Sequence, residues 1–447
     1  MSGRVEAIQI TNKGSIGSWT FINMVVEILV DDTSKVKALK TELEQSGLFS
    51  KPIYNEDQYK VIRTTVEDIN DPRLESFVDF KFRISDKETV EANKGIVGFT
   101  TDFLRRHGVD SGTVTDLVLH LPQKYTVFTP LLLFNYSKEK SFLHGPWSKL
   151  SQEVRTQYFA ELIDTLFRSQ RITHVATNMP IIESDIMRRP FNLVPLYGEK
   201  FRTMEQDRDN DSLWDSPTTE DFLNALWCHV TQNGIEQSWA PLFTMFSRGN
   251  IKEKKRILDS FQDIEGNDVI DMYSGIGYFT LSYLKRGARN VFAFELNPWS
   301  TEGLRRGLVA NKFSKNRCHI YNESNEMCLA RLRQFIGLED SPTLRIRHIN
   351  LGLLPSSTAS WPLALQCCEY QRSLLPDWEK TTLHIHENVH IDLLDSKEFI
   401  HSTVHTLNKL NPSFHYSPTH LEKIKTFAPD IWHICLDVDV LYQKGLV

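Results

Sequence analysis

Two glycines and two carboxylates in the C-terminal half of the chain have the spacing of a nucleoside site. Asp271 ends a short apolar run, Gly275 and Gly277 follow it within six residues, and Glu295 comes 24 residues after Asp271. Glycine lets the backbone pass close to a ligand with torsion angles that other residues avoid. A carboxylate that ends the next strand can accept hydrogen bonds from both ribose hydroxyls. We therefore predict a nucleoside site; the alternative is a tight turn beside a surface glutamate.

The kind of nucleoside follows from what the turn lacks. It is not a G-x-G-x-x-G segment, because Phe279 and Thr280 stand where a third glycine would lie, and it has no Walker lysine. The pattern therefore favours S-adenosylmethionine over dinucleotides and nucleoside triphosphates. In this interpretation Asp271 is suited to the amino end of the ligand.

A basic run precedes the turn. Residues 248–256 contain five basic residues and one acid. Cations beside a nucleotide site can bind phosphate or carboxylate groups and fix their position. We predict RNA contacts for Arg248, Lys255 and Arg256; the alternative is a solvated start of a helix.

Alternating strands and helices are needed to position these residues. From about residue 250, the pattern predicts strands at 268–273, 290–295, 319–321, 345–351, 382–386 and 432–438, and helices at 278–286 and 301–311. Such alternation indicates βαβ units and a parallel, doubly wound sheet. The predicted fold class is therefore α/β, with a C-terminal class I (Rossmann-like) S-adenosylmethionine-binding domain and an N-terminal α+β region.

The upstream part of the chain is less informative. It predicts strands at 20–30 and 59–65, and helices at 34–46, 152–169 and 221–232, the last ending near Asn233-Gly234. Residues 204–221 hold seven acids and one base, which is typical of a solvated loop. We predict an N-terminal α+β region at 1–170, a connecting region with this acidic loop at 171–245, and a catalytic domain at 246–447.

Composition limits the class of protein. The 447 residues carry a net charge of −6, which argues against RNA binding by bulk charge. The acidic segment alone accounts for that charge, so RNA affinity is expected to be local and salt-sensitive. Six cysteines without a C-x-x-C pair indicate a reduced, intracellular protein, and no metal is predicted. With no signal peptide or membrane-length apolar run, we predict a cytoplasmic protein.

The combined motifs resemble a known family. Phe-Ser-Arg-Gly-Asn at 246–250, Glu-Lys-Lys-Arg at 253–256, the glycine turn and Glu295 are similar to the eukaryotic and archaeal family that modifies position 37 of tRNA. That family includes guanosine N1-methyltransferases and wybutosine-synthesising aminocarboxypropyltransferases. Segments 350–357 and 384–389 resemble the second branch, and 189–192 with 196–198 resemble fungal members.

The resemblance implies a reaction and a set of ligand contacts. The reaction would transfer the 3-amino-3-carboxypropyl group of S-adenosylmethionine, as co-substrate, to C7 of 4-demethylwyosine at position 37 in the anticodon loop of phenylalanine tRNA. Ser247 and Lys254 would contact the cofactor and Glu295 would hold the ribose. The family's Gly-Asp-Asn after the third strand is matched by 323–325, where Ser324 replaces the aspartate and Asn325 is retained. Asn350, in the fourth-strand motif, is a further implied contact.

The chemistry depends mainly on orientation, because the carbon of the sulfonium that lies in line with the nucleophile is the one transferred. Attack by a ring carbon leaves a proton to remove, and His384, His386 and Glu387 are the weak candidates for a base. The alternative is that the two histidines form a packed, hydrogen-bonded pair; an H-x-H metal site would lack a third ligand. Aromatic residues that could stack on a base or on adenine are Phe246, Tyr278 and Trp299.

Two other functions stay open from the sequence. One is S-adenosylmethionine-dependent N1-methylation of guanosine 37, and the other is a non-catalytic RNA-binding module on the same fold. As partners we predict phenylalanine tRNA, which region 1–170 is expected to help bind, with neither DNA nor a membrane, and a monomeric protein.

Overall fold

A computed structural model describes residues 24–32, 34–56, 59–86, 95–178, 190, 192–199, 201, 211–337 and 343–442. The chain divides into two compact units, 1–118 and 119–447. The predicted boundaries at residues 170 and 245 differ from this division and stay predictions. Residues 189, 191 and 204–210, on which two of the sequence interpretations partly rest, lie outside the described residues. Within the described part of the chain, no helix is long and apolar enough to cross a membrane.

The first unit contains an antiparallel four-stranded sheet in the order β2-β3-β1-β4. Its strands are β1 Met24–Val30, β2 Phe49–Glu56, β3 Tyr59–Thr64 and β4 Lys81–Asp86, and its helices are α1 Val36–Gln45, α2 Ile96–Arg106 and α3 Ser111–Leu119, which ends at the boundary. Leu39 and Leu43 of α1 are buried with Ile28 and Ile62 of the sheet. The predicted strand–helix–strand order is confirmed in β1, α1 and β3.

The second unit begins with a small mixed sheet in the order β5-β6-β7-β8. Its elements are β5 Tyr125–Phe128, β6 Leu131–Phe134, helix α4 Gln152–Leu166, β7 His174–Thr177 and β8 Val194–Tyr197. The helix predicted at 152–169 is confirmed as α4, which ends three residues earlier than predicted.

The acidic segment is not simply a solvated loop. Asp211–Asp215 forms helix α5 and Thr219–Asn224 forms helix α6. Within α5, Leu213 and Trp214 are buried, and the carbonyl oxygen of Leu213 accepts the indole N–H of Trp299 at 2.8 Å. The loop prediction is wrong for these residues, because burial of two apolar side chains inside the acidic run is more favourable than their exposure to water.

The helix predicted at 221–232 is wrong after Asn224. The chain forms strand β9 Cys228–Gln232 and strand β10 Ile235–Trp239, which pair as an antiparallel hairpin. Both turn residues, Asn233 and Gly234, have positive φ, at 53° and 68°. An Asn-Gly pair in which both φ angles are positive matches the right-handed twist of a β-hairpin. The residues on either side of this turn therefore form two paired strands rather than a helix.

The largest sheet has seven strands in the order β13-β12-β11-β14-β15-β17-β16. Its strands are β11 Asp268–Asp271, β12 Asn290–Phe294, β13 Cys318–Tyr321, β14 Ile346–Leu351, β15 Lys380–His390, β16 Phe414–Ala428 and β17 Ile431–Tyr442. The strands from β11 to β15 are parallel, and β17 pairs antiparallel to both β15 and β16. The predicted parallel strands are confirmed.

Helices cover both faces of this sheet. The helices in this part of the chain are α7 Ile251–Ser260, α8 Thr280–Lys285, α9 Pro298–Ala310, α10 Cys328–Ile336, α11 Trp361–Leu374, α12 Ile391–Asp395 and α13 Glu398–Leu410. Helices α7, α8 and α9 bury Ile257, Leu281 and Leu304 in one core, whereas α10, α11 and α13 contribute to another core. The fold is therefore α/β and doubly wound, as predicted.

The second glycine of the β11–α8 turn is required by both conformation and space. Gly277 has φ +88°, and a Cβ there would lie 2.5 Å from Leu304 Cδ1 of α9. A left-handed backbone costs other residues about 1–2 kcal/mol, and the overlap adds to that cost. Helix α9 can pack close to the turn only because residue 277 has no side chain.

We expect Gly277→Ala to lower the free energy of unfolding by about 1–3 kcal/mol more than Gly266→Ala does. Gly266 is the matched control, because its φ is +74° but a Cβ there would meet nothing within 4 Å. Urea unfolding of both variants would measure the difference. Equal losses would contradict the role of close helix packing at residue 277.

Candidate active site

A cavity opens at the carboxyl ends of the parallel strands. It is lined by the segment before α7, by the β11–α8 turn and by the ends of β12, β13 and β14: Thr244, Met245, Ser247, Asn250, Met272, Tyr273, Gly275, Tyr278, Phe279, Phe294, Glu295, Leu296, Ser300, Glu323, Ser324, Asn325, Gly352, Leu353 and Leu354. Ligands bind in this crevice in doubly wound sheets. The structure brings Ser247, Gly275, Glu295, Ser324 and Asn325, all predicted from the sequence, to one cavity.

Glu295 is fixed at the end of β12 by the backbone around it. One carboxylate oxygen accepts the N–H of Gly275 at 2.9 Å, and the other accepts the N–H of Asn297 at 2.8 Å. Burial raises the pKa of the Glu295 carboxyl, and these two N–H groups oppose that rise. Each oxygen keeps a further lone pair for a hydroxyl donor. The geometry therefore suits a carboxylate that accepts from the hydroxyls of a ribose.

Asp271 and Asn350 lie beneath the cavity rather than in its wall. The Asp271 carboxylate is fully buried and accepts hydrogen bonds from Thr280 Oγ1 at 2.7 Å and Asn350 Nδ2 at 2.9 Å. Burial raises the pKa of this carboxyl despite both bonds. The carboxylate thus ties β11 to α8 and β14. The predicted ligand contacts of Asp271 and Asn350 stay predictions; what the structure gives them is a positioning role.

Lys254 lies beside two aromatic side chains, Phe246 and Tyr278, which we call the aromatic wall. It is buried, and its Nζ donates to Gln232 Oε1 at 2.8 Å and to Gln237 Oε1 at 2.6 Å. The amine lies 5.3 Å from the ring centroid of Phe246 and 5.1 Å from that of Tyr278. Burial lowers the pKa of Lys254 to about 7. Its predicted cofactor contact stays a prediction.

Within the aromatic wall, Tyr278 is fixed by hydrogen bonds to the backbone of the segment before α7. The hydroxyl of Tyr278 accepts the backbone N–H of Ser247 at 3.1 Å and donates to the carbonyl of Met245. Tyr278 lines the cavity, whereas Trp299 is fully buried and stacks on Phe243 with ring centroids 3.8 Å apart. Of the predicted stacking residues, Tyr278 therefore faces the ligand space, and Trp299 belongs to the core.

The segment after β13 supplies a carboxylate, that of Glu323, one residue before the position at which the family resemblance implies an acid. Glu323 lines the cavity and forms two hydrogen bonds with Arg331, at 2.6 and 2.7 Å. Ser324 accepts the N–H of Glu326, and Asn325 donates to the carbonyl of Met272 at 3.3 Å. Glu323, rather than Ser324, therefore supplies a carboxylate to this part of the cavity wall.

The cavity is suited to a cationic ligand. Among the described residues that line it, Glu295 and Glu323 are carboxylates, and no lysine, arginine or histidine is present. A sulfonium carries its positive charge between an adenosyl and an amino-acid part. Glu323 is paired with Arg331, whereas Glu295 accepts neutral backbone N–H groups, so the Glu295 carboxylate favours such a ligand over a polyphosphate.

The predicted bases at the end of β15 are enclosed by other elements. His384 Nδ1 lies 2.7 Å from Asp437 Oδ1, and its Nε2 lies 3.0 Å from His348 Nδ1. His386 Nδ1 lies 3.0 Å from His433 Nε2, and burial lowers the pKa of His386 far below its usual value. Neither histidine lines the cavity. The structure supports the packed alternative, with each histidine bonded to a neighbouring strand rather than to the other.

Glu387 holds a loop rather than facing the cavity. Its Oε1 accepts the N–H of Ser357 at 2.7 Å and the hydroxyls of Ser356 and Ser357 at 3.1 Å. Burial raises the pKa of this carboxyl. A role for Glu387 as a base stays a prediction, and the observed contacts are those of an anchor for the loop after β14.

The three predicted RNA contacts differ in availability. Arg248 is exposed and hydrogen-bonds Thr126, and Lys255 is exposed and paired with Asp259 at 2.6 Å. Arg256 is 10% exposed and is shared by Glu253 and Asp437. A guanidinium held by two carboxylates has little donor capacity for a phosphate, so the structure gives Arg256 a structural role in place of the predicted RNA contact.

Sequence reasoning missed two groups in the cavity wall. The hydroxyls of Thr244 and Ser300 lie 2.7 Å apart, and Asn250 lines the cavity with its Oδ1 shielded from water and without a hydrogen-bond partner. Asn250 was visible in the 246–250 motif but had no charge to single it out. Thr244 and Ser300 carried no sequence signal, because 56 residues separate them.

The comparisons with known proteins agree with this geometry. A family model described as the TRM5/TYW2 methyltransferase domain matches residues 229–333. Together with the sheet topology and the cavity, it defines a transferase of the class I fold that uses S-adenosylmethionine. The tRNA wybutosine-synthesizing protein 2 of Saccharomyces cerevisiae is 45% identical over 457 residues, covering 94% of this chain and 98% of that protein. The chain belongs to the tRNA wybutosine-synthesizing protein 2 family.

Two further similarities are consistent with this assignment. The protein of the same name from Schizosaccharomyces pombe is 34% identical over 345 residues, covering 74% of this chain and 75% of that protein. The crystal structure of P. horikoshii TYW2 in complex with MeSAdo has a TM-score of 0.50 and 20% identity, covering 78% of this chain and all of that one. At that identity, the structural similarity concerns the fold alone.

We expect Arg256→Gln to lower the free energy of unfolding by about 3–5 kcal/mol, because it leaves Glu253 and Asp437 buried without their cation. Lys255→Gln, the neighbouring control, removes an exposed pair and should cost less than about 0.5 kcal/mol. Urea unfolding at pH 7 measures both. An Arg256→Gln variant with unchanged stability and weakened tRNA binding would support the RNA contact instead.

Proposed function

We propose that the chain transfers the 3-amino-3-carboxypropyl group of S-adenosylmethionine to C7 of 4-demethylwyosine at position 37 of phenylalanine tRNA. Methylthioadenosine is the second product. The observation that supports this most is the fixed Glu295 carboxylate beside Gly275, at the floor of a cavity in a chain 45% identical to a wybutosine-synthesizing protein. The resemblance of segments 350–357 and 384–389 to the same branch points in the same direction.

In this proposal, different residues of the cavity contact different parts of the co-substrate. Glu295 accepts from the ribose hydroxyls, and Ser324 and Asn325 lie at the adenine side together with the carboxylate of Glu323. Gly275 allows the backbone to approach the sulfonium end. The methionine part then extends towards Ser247, Asn250 and the loop after β14.

The reaction requires one bond to form as another breaks. C7 of the base attacks Cγ of the aminocarboxypropyl chain, the Cγ–S bond breaks, and its electron pair neutralises the sulfonium as a thioether. The proton on C7 is then lost. The chain contributes orientation, which can supply roughly 7–11 kcal/mol of the barrier when the reacting atoms are held in line.

Asn250 is suited to hold the carboxylate of the transferred chain. Its Oδ1 is buried without a hydrogen-bond partner and the residue lines the cavity, so we assign its amide nitrogen to the ligand. Helix α7 begins at the next residue, so the positive end of its dipole adds to the attraction of an anion. No cationic side chain among the described lining residues competes for this carboxylate.

Finer parts of the function are proposals as well. We propose phenylalanine tRNA as the substrate, tRNA contacts in the N-terminal region, a monomeric state and a cytoplasmic location, each on the sequence grounds given above. The methyltransferase alternative has less support, because the two yeast relatives described above are wybutosine-synthesizing proteins.

The reaction is tested with two labelled forms of S-adenosylmethionine and hypomodified phenylalanine tRNA. Label in the carboxypropyl chain should enter the tRNA, and label in the methyl group should be recovered in methylthioadenosine. Scintillation counting of precipitated tRNA and chromatography of the nucleosides measure both. Methyl label in the tRNA would support the methyltransferase instead, and a chain that binds tRNA without binding S-adenosylmethionine would support the non-catalytic module.

We expect Asn250→Ala to weaken S-adenosylmethionine binding by about tenfold, because a hydrogen bond to a charged group is lost. Asn250→Asp should weaken it further, since two carboxylates would then face each other. Titration calorimetry with methylthioadenosine and decarboxylated S-adenosylmethionine supplies the controls, as neither has the carboxylate. Equal losses for all three ligands would show that Asn250 supports only the local fold.

A further inference from the structure

The segment from residue 285 to residue 317 carries a strong local charge. It contains eight basic and two acidic residues, in a chain whose net charge is −6. Several of the bases are used internally: Arg289 pairs with Asp268, and Arg317 donates to the carbonyl oxygen of Ala288. Lys285 and Arg286 are also engaged, because both donate to backbone carbonyl oxygens.

Three of these cations line one surface depression. Arg305 and Arg306 of α9 and Lys315 of the following loop border it, and its other lining residues are His229, Ser238, Glu302, Leu308, Val309, Ala310, Cys318 and Ile320. Lys312, in the turn between Ala310 and Lys315, is exposed. We call Arg305, Arg306, Lys312 and Lys315 the basic surface.

The basic surface is only partly neutralised. Glu302 is the one carboxylate among the described lining residues; it hydrogen-bonds Arg306 at 3.0 Å and lies 4.0 Å from Arg305. Among the described residues, neither Lys312 nor Lys315 has a side-chain hydrogen bond or ion pair. The side chain of Arg305 is 48% exposed. These three side chains can therefore accept an anionic partner without first breaking a strong contact.

The floor of the depression adds a second kind of contact. Val309 is 62% exposed, and Leu308, Ala310 and Ile320 lie beside it. Cations around an apolar floor match a nucleic acid backbone, whose phosphates meet the rim while the apolar faces of its sugars cover the floor. A lone inorganic anion would make no use of the floor.

The position of the depression suits a large substrate. Helix α9 starts near the cavity, where Ser300 lines the wall, and ends at Ala310, which lines the depression. Ten helical residues span about 15 Å. A tRNA whose anticodon loop enters the cavity is much longer than this distance, so its backbone is available to a second surface.

We propose that the basic surface is a second docking site for the tRNA substrate and binds its sugar–phosphate backbone outside the anticodon loop. This inference rests on the proposed function. Its chemistry is the sequence-independent kind, in which each neutralised phosphate releases counterions and binding weakens steeply with salt.

The test compares two double variants with the unaltered full chain. Arg305→Gln with Lys315→Gln removes two rim cations, and Lys397→Gln with Lys409→Gln removes two exposed cations elsewhere in the same unit. Arg306 is left intact because its guanidinium packs over Trp227 at 4.1 Å. Fluorescence anisotropy measures the affinity for full-length hypomodified phenylalanine tRNA and for its isolated anticodon stem-loop, each from 0.05 to 0.3 M salt.

We expect the rim variant to lose tenfold or more in affinity for full-length tRNA at low salt. Its log–log salt slope should fall by about 2, because two phosphate contacts are lost. The isolated stem-loop should show the same loss, because its stem extends beyond the loop that enters the cavity, and methylthioadenosine affinity should be unchanged in both variants. The control variant should lose less than threefold.

Three results would overturn the inference. The rim variant could bind full-length tRNA as well as the unaltered chain, or lose no more affinity than the control. It could instead lose affinity for poly-glutamate while retaining that for tRNA, which would identify an acidic polypeptide as the partner. Absence of tRNA binding by the unaltered chain would overturn the proposed function itself, and the two failures are therefore distinguishable.

Discussion

The carboxylate of Glu295 joins the chain segments on which the cavity depends. It receives the N–H of Gly275 from the β11–α8 turn and the N–H of Asn297 from the start of α9. Asn297 in turn caps α9 by accepting the N–H of Trp299. Hydrogen bonds to an ionised group are stronger than neutral ones, so a single side chain fixes a glycine turn and a helix start against each other. Glu295 also lines the cavity, so the group that supports this wall is the one that we propose to bind the ribose.

The remainder of the site depends on charges that are buried and satisfied. Asp271 and Lys254 lie out of contact with solvent, and each has two side-chain hydrogen-bond partners. Burial of an ionised group is costly unless such partners are present. On the same face of the sheet, Arg256 joins Glu253 to Asp437, and Asp437 also meets His384. These contacts fix the relative positions of α7, β15 and β17 rather than take part in chemistry.

Much of the C-terminal fold could be predicted because its signals are local. The runs at β11 and β12 are buried along their whole length, which is typical of parallel strands, and the glycine turn with Glu295 follows them in order. Gly275 and Glu295, which follow from this pattern, reach one cavity, and so does Ser247, which the family resemblance implies. The predictions failed where a partner is distant in sequence. Nothing near Arg256 reveals Asp437, which lies 181 residues away, and nothing near His384 reveals His348.

The hairpin of β9 and β10, where a helix was predicted, bears on where the catalytic domain begins. Gln232 and Gln237, the two acceptors of Lys254, both belong to this hairpin, and the matched family model begins at residue 229. A fragment that starts at residue 246 would leave a buried amine with no acceptor from these two residues. Although the hairpin lies outside the seven-stranded sheet, the same family model spans it together with β11, β12 and β13 of that sheet. Any exchange of domains between relatives that preserves the site therefore has to cut upstream of Cys228.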